Sequence, residues 1–146
     1  LQARSSGKEE DGKLRPITSE IDKSAYSFLI VDDSLFARKN IAKAVEAIGG
    51  NVIGEAVNGR EAVEKYFELR PDLVLMDISM PEMEGIEALG LIRERDSSAK
   101  VVIVSSLGHQ EMVKKGISLG AKHFISKPVA LEKAADIIKF VLEQKG

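Results

Sequence analysis

Asp32 and Asp33 follow the apolar run YSFLIV, and Asp77 follows LVLM. Ser105 and Ser106 follow KVVIV, and Lys127-Pro128 follows HFIS. Three carboxylates, a hydroxyl and an ammonium thus stand at the ends of four β-like runs. Carboxylates that share a site repel unless protons or a cation intervene. With no Cys in the chain and no His spaced to join them, the donors are all oxygen, which selects a hard cation, Mg²⁺ ahead of Zn²⁺. Mg²⁺ on carboxylates keeps several waters and readily takes a phosphate oxygen. An ionised Asp is also a nucleophile that forms an aspartyl phosphate without a general base. Lys127 and the metal would neutralise the phosphoryl oxygens, and Ser105 would help to orient them. Taken singly, each of these residues is more often a helix cap or a turn. Their joint placement at one end of four different strands is what points to a site.

Placing them there requires a parallel sheet. The apolar runs Tyr26–Val31, Val52–Ala56, Leu73–Met76, Lys100–Val104 and His123–Ser126 are short, rich in β-branched residues and continuous rather than alternating. That is the pattern of strands covered on both faces. Helical periodicity fills the gaps. Ser34 is placed to cap a first helix, with Ile41, Ala44, Val45 and Ile48 inward and Gly49-Gly50 at its end. Asn58 is placed to cap a second through Val63 and Phe67, with Pro71 beyond its end. A third runs from Glu84 to Arg95, with Ile86, Leu89 and Ile92 inward. A fourth runs from Gln110 to Leu119 and stops at Gly120. A fifth spans Leu131 to Gln144, with Ile137, Ile138, Val141 and Leu142 packing down. Five strands alternating with five helices predict a doubly wound α/β fold, in which functional groups collect beyond the carboxyl ends of the strands.

Composition agrees with one such domain. The 146 residues are 44% apolar and 30% charged, and 21 basic against 23 acidic side chains leave a net charge of −2. A nucleic-acid-coating protein would carry a basic excess. No apolar run approaches the roughly 20 residues that span a bilayer, so neither a nucleic acid nor a membrane is expected as a direct partner. A cytoplasmic location is expected. Residues 1–25 show no sustained period and read as a tail or linker.

At these residues the chain resembles the receiver domain of two-component response regulators. The motifs are LIVDDS at 29–34, LVLMDISMPEMEG at 73–85, VIVSS at 102–106 and FISKP at 124–128. The spacings 33 to 77, 77 to 105 and 105 to 127 follow the family pattern, and the receiver would occupy residues 26–146. The stretches GEAVNGREAVEKY and SLGHQEMVKKGISLGAKHFISKP are most similar to single-domain chemotaxis regulators. The resemblance implies a flavodoxin-like five-stranded sheet in the order 2-1-3-4-5. It also implies Asp77 as phosphoacceptor, and Mg²⁺ held by Asp33, Asp77 and the backbone carbonyl of Ser79, with Asp32 acting largely through water. Ser105 resembles the switch hydroxyl, Lys127 the lysine that contacts the phosphoryl group, with a cis Lys127–Pro128 peptide, and Phe124 the aromatic switch residue. The domain would be a signalling phosphoacceptor rather than an enzyme acting on other substrates.

The implied partners are a histidine kinase as phosphodonor and an output protein such as a flagellar motor component. Lys114, Lys115, Lys122 and Phe124 would offer the output face a basic rim around an aromatic, though a solvated helix face reads the same way. Ser79 and Leu107 sit at the positions that tune dephosphorylation in the family. Neither offers an acid or amide to position water, so an acyl phosphate whose lifetime these side chains do not shorten is expected, and a separate phosphatase is left open as a partner. His109 and His123 read as surface or loop residues rather than ligands. Two alternatives remain open on the sequence: a receiver cut from a larger regulator, and a non-phosphorylated interaction module. A dehalogenase-type phosphatase would need DxD where this chain has adjacent Asp32-Asp33. A flavin carrier would need a Ser/Thr/Gly-rich loop in place of DDSLFARKN.

Overall fold

The computed structural model describes residues 9–10, 13–14, 25–80, 83–106 and 108–144. Most of the tail therefore lies outside the described residues, as do Pro81, Glu82 and Leu107 of the motifs. Within the tail, Glu9–Glu10 pairs antiparallel with Lys13–Leu14.

The main sheet has strands β1 (Ser27–Val31), β2 (Asn51–Ala56), β3 (Leu73–Asp77), β4 (Val101–Ser105) and β5 (His123–Ser126). They are all parallel, in the order β2-β1-β3-β4-β5. The helices are α1 (Leu35–Ala47), α2 (Gly59–Leu69), α3 (Gly85–Arg95), α4 (Gln110–Ser118) and α5 (Leu131–Glu143). The expected doubly wound architecture and strand order are both present.

Successive side chains of a strand point to opposite faces, and the core divides accordingly. Phe28, Ile30, Leu73, Leu75, Val102 and Val104 pack with Ile41, Ala44 and Val45 of α1 and Ala135, Ile138 and Val141 of α5. Leu29, Val31, Val74, Met76, Val101 and Ile103 pack on the other face with Ala62 and Tyr66 of α2 and Ile86, Leu89 and Ile92 of α3. The chain turns back at β1, leaving it for β2 on one side and later for β3 on the other. The crevice of such a sheet opens beyond the carboxyl ends of those two central strands, where Asp32, Asp33 and Asp77 stand.

One expectation needs correction. Burial on both faces holds for β1, β3 and β4, but the edge strands leave Asn51, Glu55, Phe124 and Ser126 exposed. An edge strand has a neighbour on one side only, so its flanking helices do not close over it. On α2, Val63 and Phe67 pack partly buried against the core as expected, beside the buried Gly59, Ala62 and Tyr66. Tyr66 tolerates burial because its hydroxyl donates to Asp96 Oδ2 at 2.6 Å. Burial and that carboxylate together push the phenol above its ordinary range. Phe67 lies edge-on to Tyr66 beneath the guanidinium groups of Arg70 and Arg95. On α5, Ile137 is likewise partly covered while Ala134 and Ala135 are buried.

The caps form as expected. Ser34 Oγ accepts from Ala37 N at 3.2 Å, and Asn58 Oδ1 accepts from Glu61 N at 2.8 Å. Helix α3 begins at Gly85, pressed against the site. A Cβ there would stand 2.0 Å from the carbonyl oxygen of Asp77 and 2.8 Å from Ile78 Cα. Backbone on both sides leaves nothing to give way. Gly85→Ala is expected to cost about 2 kcal/mol or more in urea unfolding; a loss under about 0.5 kcal/mol would show that the approach is not tight.

Candidate functional site

Each strand delivers its polar residue as the apolar run ends. Asp32 follows β1 and is 1% exposed. Its backbone N–H still joins the sheet, donating to Ala56 O at 3.0 Å. Its carboxylate accepts from Ser34 N at 3.0 Å through Oδ1 and from Lys127 Nζ at 2.8 Å through Oδ2. Lys127 therefore reaches across 95 residues of sequence to neutralise a buried acid. Arg38 secures the turn behind it, donating to Asp32 O at 2.8 Å and to Glu55 Oε1 at 2.6 Å.

Asp77 ends β3 and is 7% exposed. Its Oδ1 accepts from Ser79 N at 3.4 Å, and its Oδ2 lies 3.9 Å from Lys127 Nζ. Burial, and then the nearby Asp32 charge, push its carboxyl up from 3.8 to about 6; Lys127 only partly opposes them. Asp33 is exposed. One carboxylate oxygen from each of Asp32, Asp33 and Asp77 lies within 4.8 Å of the others. The excess of negative charge and the all-oxygen donor set fit a Mg²⁺ ion.

Ser105 ends β4 and is 3% exposed. Its Oγ has two partners, Ser106 O and His109 Nδ1, each at 3.2 Å. Neither is a carboxylate of the cluster. The Lys127–Pro128 peptide is cis, and Lys127 N donates to Ser105 O at 2.8 Å, tying the lysine-bearing turn to β4. Phe124 on edge strand β5 is 41% exposed. Beside it a cavity of about 250 Å³ is lined by Ser105, His109, Val113, Phe124 and neighbouring residues.

The structure thus gathers Asp32, Asp33, Asp77 and Lys127 into one cluster. Ser79 contributes its backbone N–H to Asp77. Ser105 and Phe124 border a common cavity. Lys114 and Lys115 are exposed on α4, and Lys122 is half-buried at the start of β5. Sequence reasoning missed His109, which is half-buried with its imidazole on Ser105. It also placed His123 at the surface or in a loop. His123 belongs to β5, is half-buried, and accepts from Phe124 N at 2.8 Å. The only signal for His109 was its position four residues after Ser105. Gly85, which sets the approach of α3, was legible only as a motif letter.

The chain is similar to known proteins in sequence and in fold. The family model "Response regulator receiver domain" matches residues 28–139. A chemotaxis protein CheY of Listeria monocytogenes is 51% identical over 114 residues, covering 73% of this chain and 96% of that protein. The CheY of Thermotoga maritima is 48% identical over 113 residues, covering 77% of this chain and 94% of that one. Among solved structures, the CheX–CheY complex of Borrelia burgdorferi with BeF₃ and Mg²⁺ gives a TM-score of 0.77 at 39% identity, covering 82% of this chain and 90% of that one. On its fold and these similarities, the chain belongs to the receiver domains of the response regulators.

Proposed function

We propose that the chain accepts a phosphoryl group on Asp77 from a histidine kinase and uses it to switch a protein-binding face. The observation that carries this reading is the carboxylate cluster with Lys127 at its edge. Asp33, Asp77 and the Ser79 carbonyl would hold Mg²⁺ directly and Asp32 largely through water; the ion supplies charge neutralisation to the transferring phosphoryl oxygens. An Asp77 carboxylate oxygen attacks phosphorus, and the bond from phosphorus to the donor imidazole nitrogen breaks with its electron pair. Lys127 stabilises the charge on the phosphoryl oxygens. Because the Asp77 carboxyl sits at about 6, the nucleophile is mainly ionised at neutral pH.

The new charge then competes for the Ser105 hydroxyl. Movement of that hydroxyl toward Asp77 opens the way for Phe124 to turn from solvent into the neighbouring cavity. The face built by α4, β5 and α5 changes shape, a two-state shift biased by one covalent group. Lys114, Lys115 and Lys122 around Phe124 suit an acidic amphipathic helix. The similarity to chemotaxis proteins CheY supports an output in chemotaxis; the target in this reading is a motor component, met in the cytoplasm. No helix among the described residues is long and apolar enough to cross a membrane. Ser79 offers no acid or amide to position water, so this side chain does not shorten the life of the acyl phosphate.

Incubation with acetyl phosphate and Mg²⁺ should add one phosphate by intact mass. The Asp77→Asn variant and a sample containing a chelator should gain none. Equal uptake by Asp77→Asn would refute the assignment.

A further inference from the structure

We infer that His109 is a positioning residue that holds the Ser105 hydroxyl in its resting place and ties its release to the first turn of α4. The inference rests on the switch reading of Asp77 and Ser105 and adds a component to it. Ser105 Oγ is enclosed and lies 3.2 Å from His109 Nδ1 and 3.2 Å from Ser106 O. A carbonyl only accepts. If Nδ1 carries hydrogen, the imidazole donates to Oγ while the hydroxyl donates to Ser106 O. If Nδ1 is bare, the hydroxyl donates to it. In either tautomer the imidazole takes one of the hydroxyl's bonds.

The position of His109 gives that bond a consequence. His109 is the N-cap residue of α4, yet its side chain makes no capping hydrogen bond to the helix. The imidazole instead serves the end of β4. It also lines the cavity bordered by Ser105 and Phe124. A Ser105 hydroxyl that turns toward Asp77 must leave His109, and His109 is covalently part of the helix that carries the output face. The contact is a latch on the resting state, and breaking it frees the start of α4 as Ser105 moves.

A bond of this kind shifts a two-state balance by roughly two- to tenfold. Removing it should raise apparent affinity for a phosphoryl mimic by that factor, because the competent state is populated beforehand. The probe is beryllium fluoride with Mg²⁺, titrated into the full ¹⁵N-labelled chain. The chain has two histidines, so a long-range ¹H–¹⁵N spectrum resolves both imidazoles and His109→Ala assigns them. His109→Ala should lower the half-saturating fluoride concentration roughly two- to tenfold. In a Ser105→Ala background the same substitution should have no effect. The His109 Nδ1 resonance should move on Ser105→Ala and again on saturation with the mimic.

An equal effect of His109→Ala in both backgrounds, or a His109 resonance indifferent to Ser105→Ala, would overturn the latch and leave the phosphoacceptor reading intact. Absence of mimic binding, or binding that survives Asp77→Asn, would overturn the reading and the latch with it.

Discussion

Asp77→Asn should yield a protein that is chemically inert and more stable than the wild type at neutral pH. The carboxyl titrates at about 6 in the folded chain against an ordinary value of 3.8. The folded state therefore binds this proton more tightly than the unfolded state does. The contribution of the group to stability is greatest below about pH 4, falls as pH rises toward 6, and is flat above. A rise of about two pH units corresponds to on the order of 2–3 kcal/mol. Asparagine keeps the shape of the side chain and does not titrate. In urea unfolding at pH 7.5 without divalent metal, the variant should gain on the order of 2 kcal/mol. The gap should close toward pH 4. Added Mg²⁺ should also narrow it, because binding to the native carboxylates stabilises the wild type by mass action. A wild type as stable as the variant at pH 7.5 without metal would mean that the cluster is not strained by charge.

The opposite sign is expected for Lys127→Met. Lys127 Nζ lies 2.8 Å from Asp32, which is almost fully enclosed. Removing the ammonium leaves a buried carboxylate whose remaining hydrogen bond is from Ser34 N. Breaking such a pair typically costs 3–5 kcal/mol, most of it the uncompensated charge. A loss of about 3 kcal/mol is expected, since Lys127 is itself partly solvated. Asp32→Asn in the same chain should recover most of it, because the unpaired charge is then gone. Neither protein should retain the wild-type response to phosphorylation, since the counter-charge for the phosphoryl oxygens is absent. A cost below about 1 kcal/mol, or no recovery in the double variant, would place the role of Lys127 outside this pair.

What the sequence disclosed follows from which interactions are local. β1, β3 and β4 read correctly because strands covered on both faces must be apolar throughout. The rule that function gathers beyond the carboxyl ends of parallel strands then joined Asp32 to Lys127 across 95 residues. It could do so because strand order, not local sequence, sets that distance. The edge strands misled in one respect: an apolar run does not reveal that its outer flank lacks a neighbour, so exposed Glu55 and Ser126 lie in runs that read as buried on both faces. The burial of Tyr66 was not legible, because the partner that permits it, Asp96, lies at the far end of α3. The bond from His109 to Ser105 was hidden for a related reason. Four residues of separation place two side chains together on a helix, but these two are joined by a loop whose path no periodicity describes.

In the proposed function Asp77 alone carries the phosphoryl group. Treating the acetyl-phosphate-loaded protein with borohydride reduces an aspartyl phosphate to homoserine, which peptide sequencing by mass spectrometry then locates. Homoserine is expected at position 77 and at no other aspartate, and none when Mg²⁺ is chelated. Homoserine at position 32 or 33, or phosphate retained on a serine or histidine with Asp77 unmodified, would contradict it.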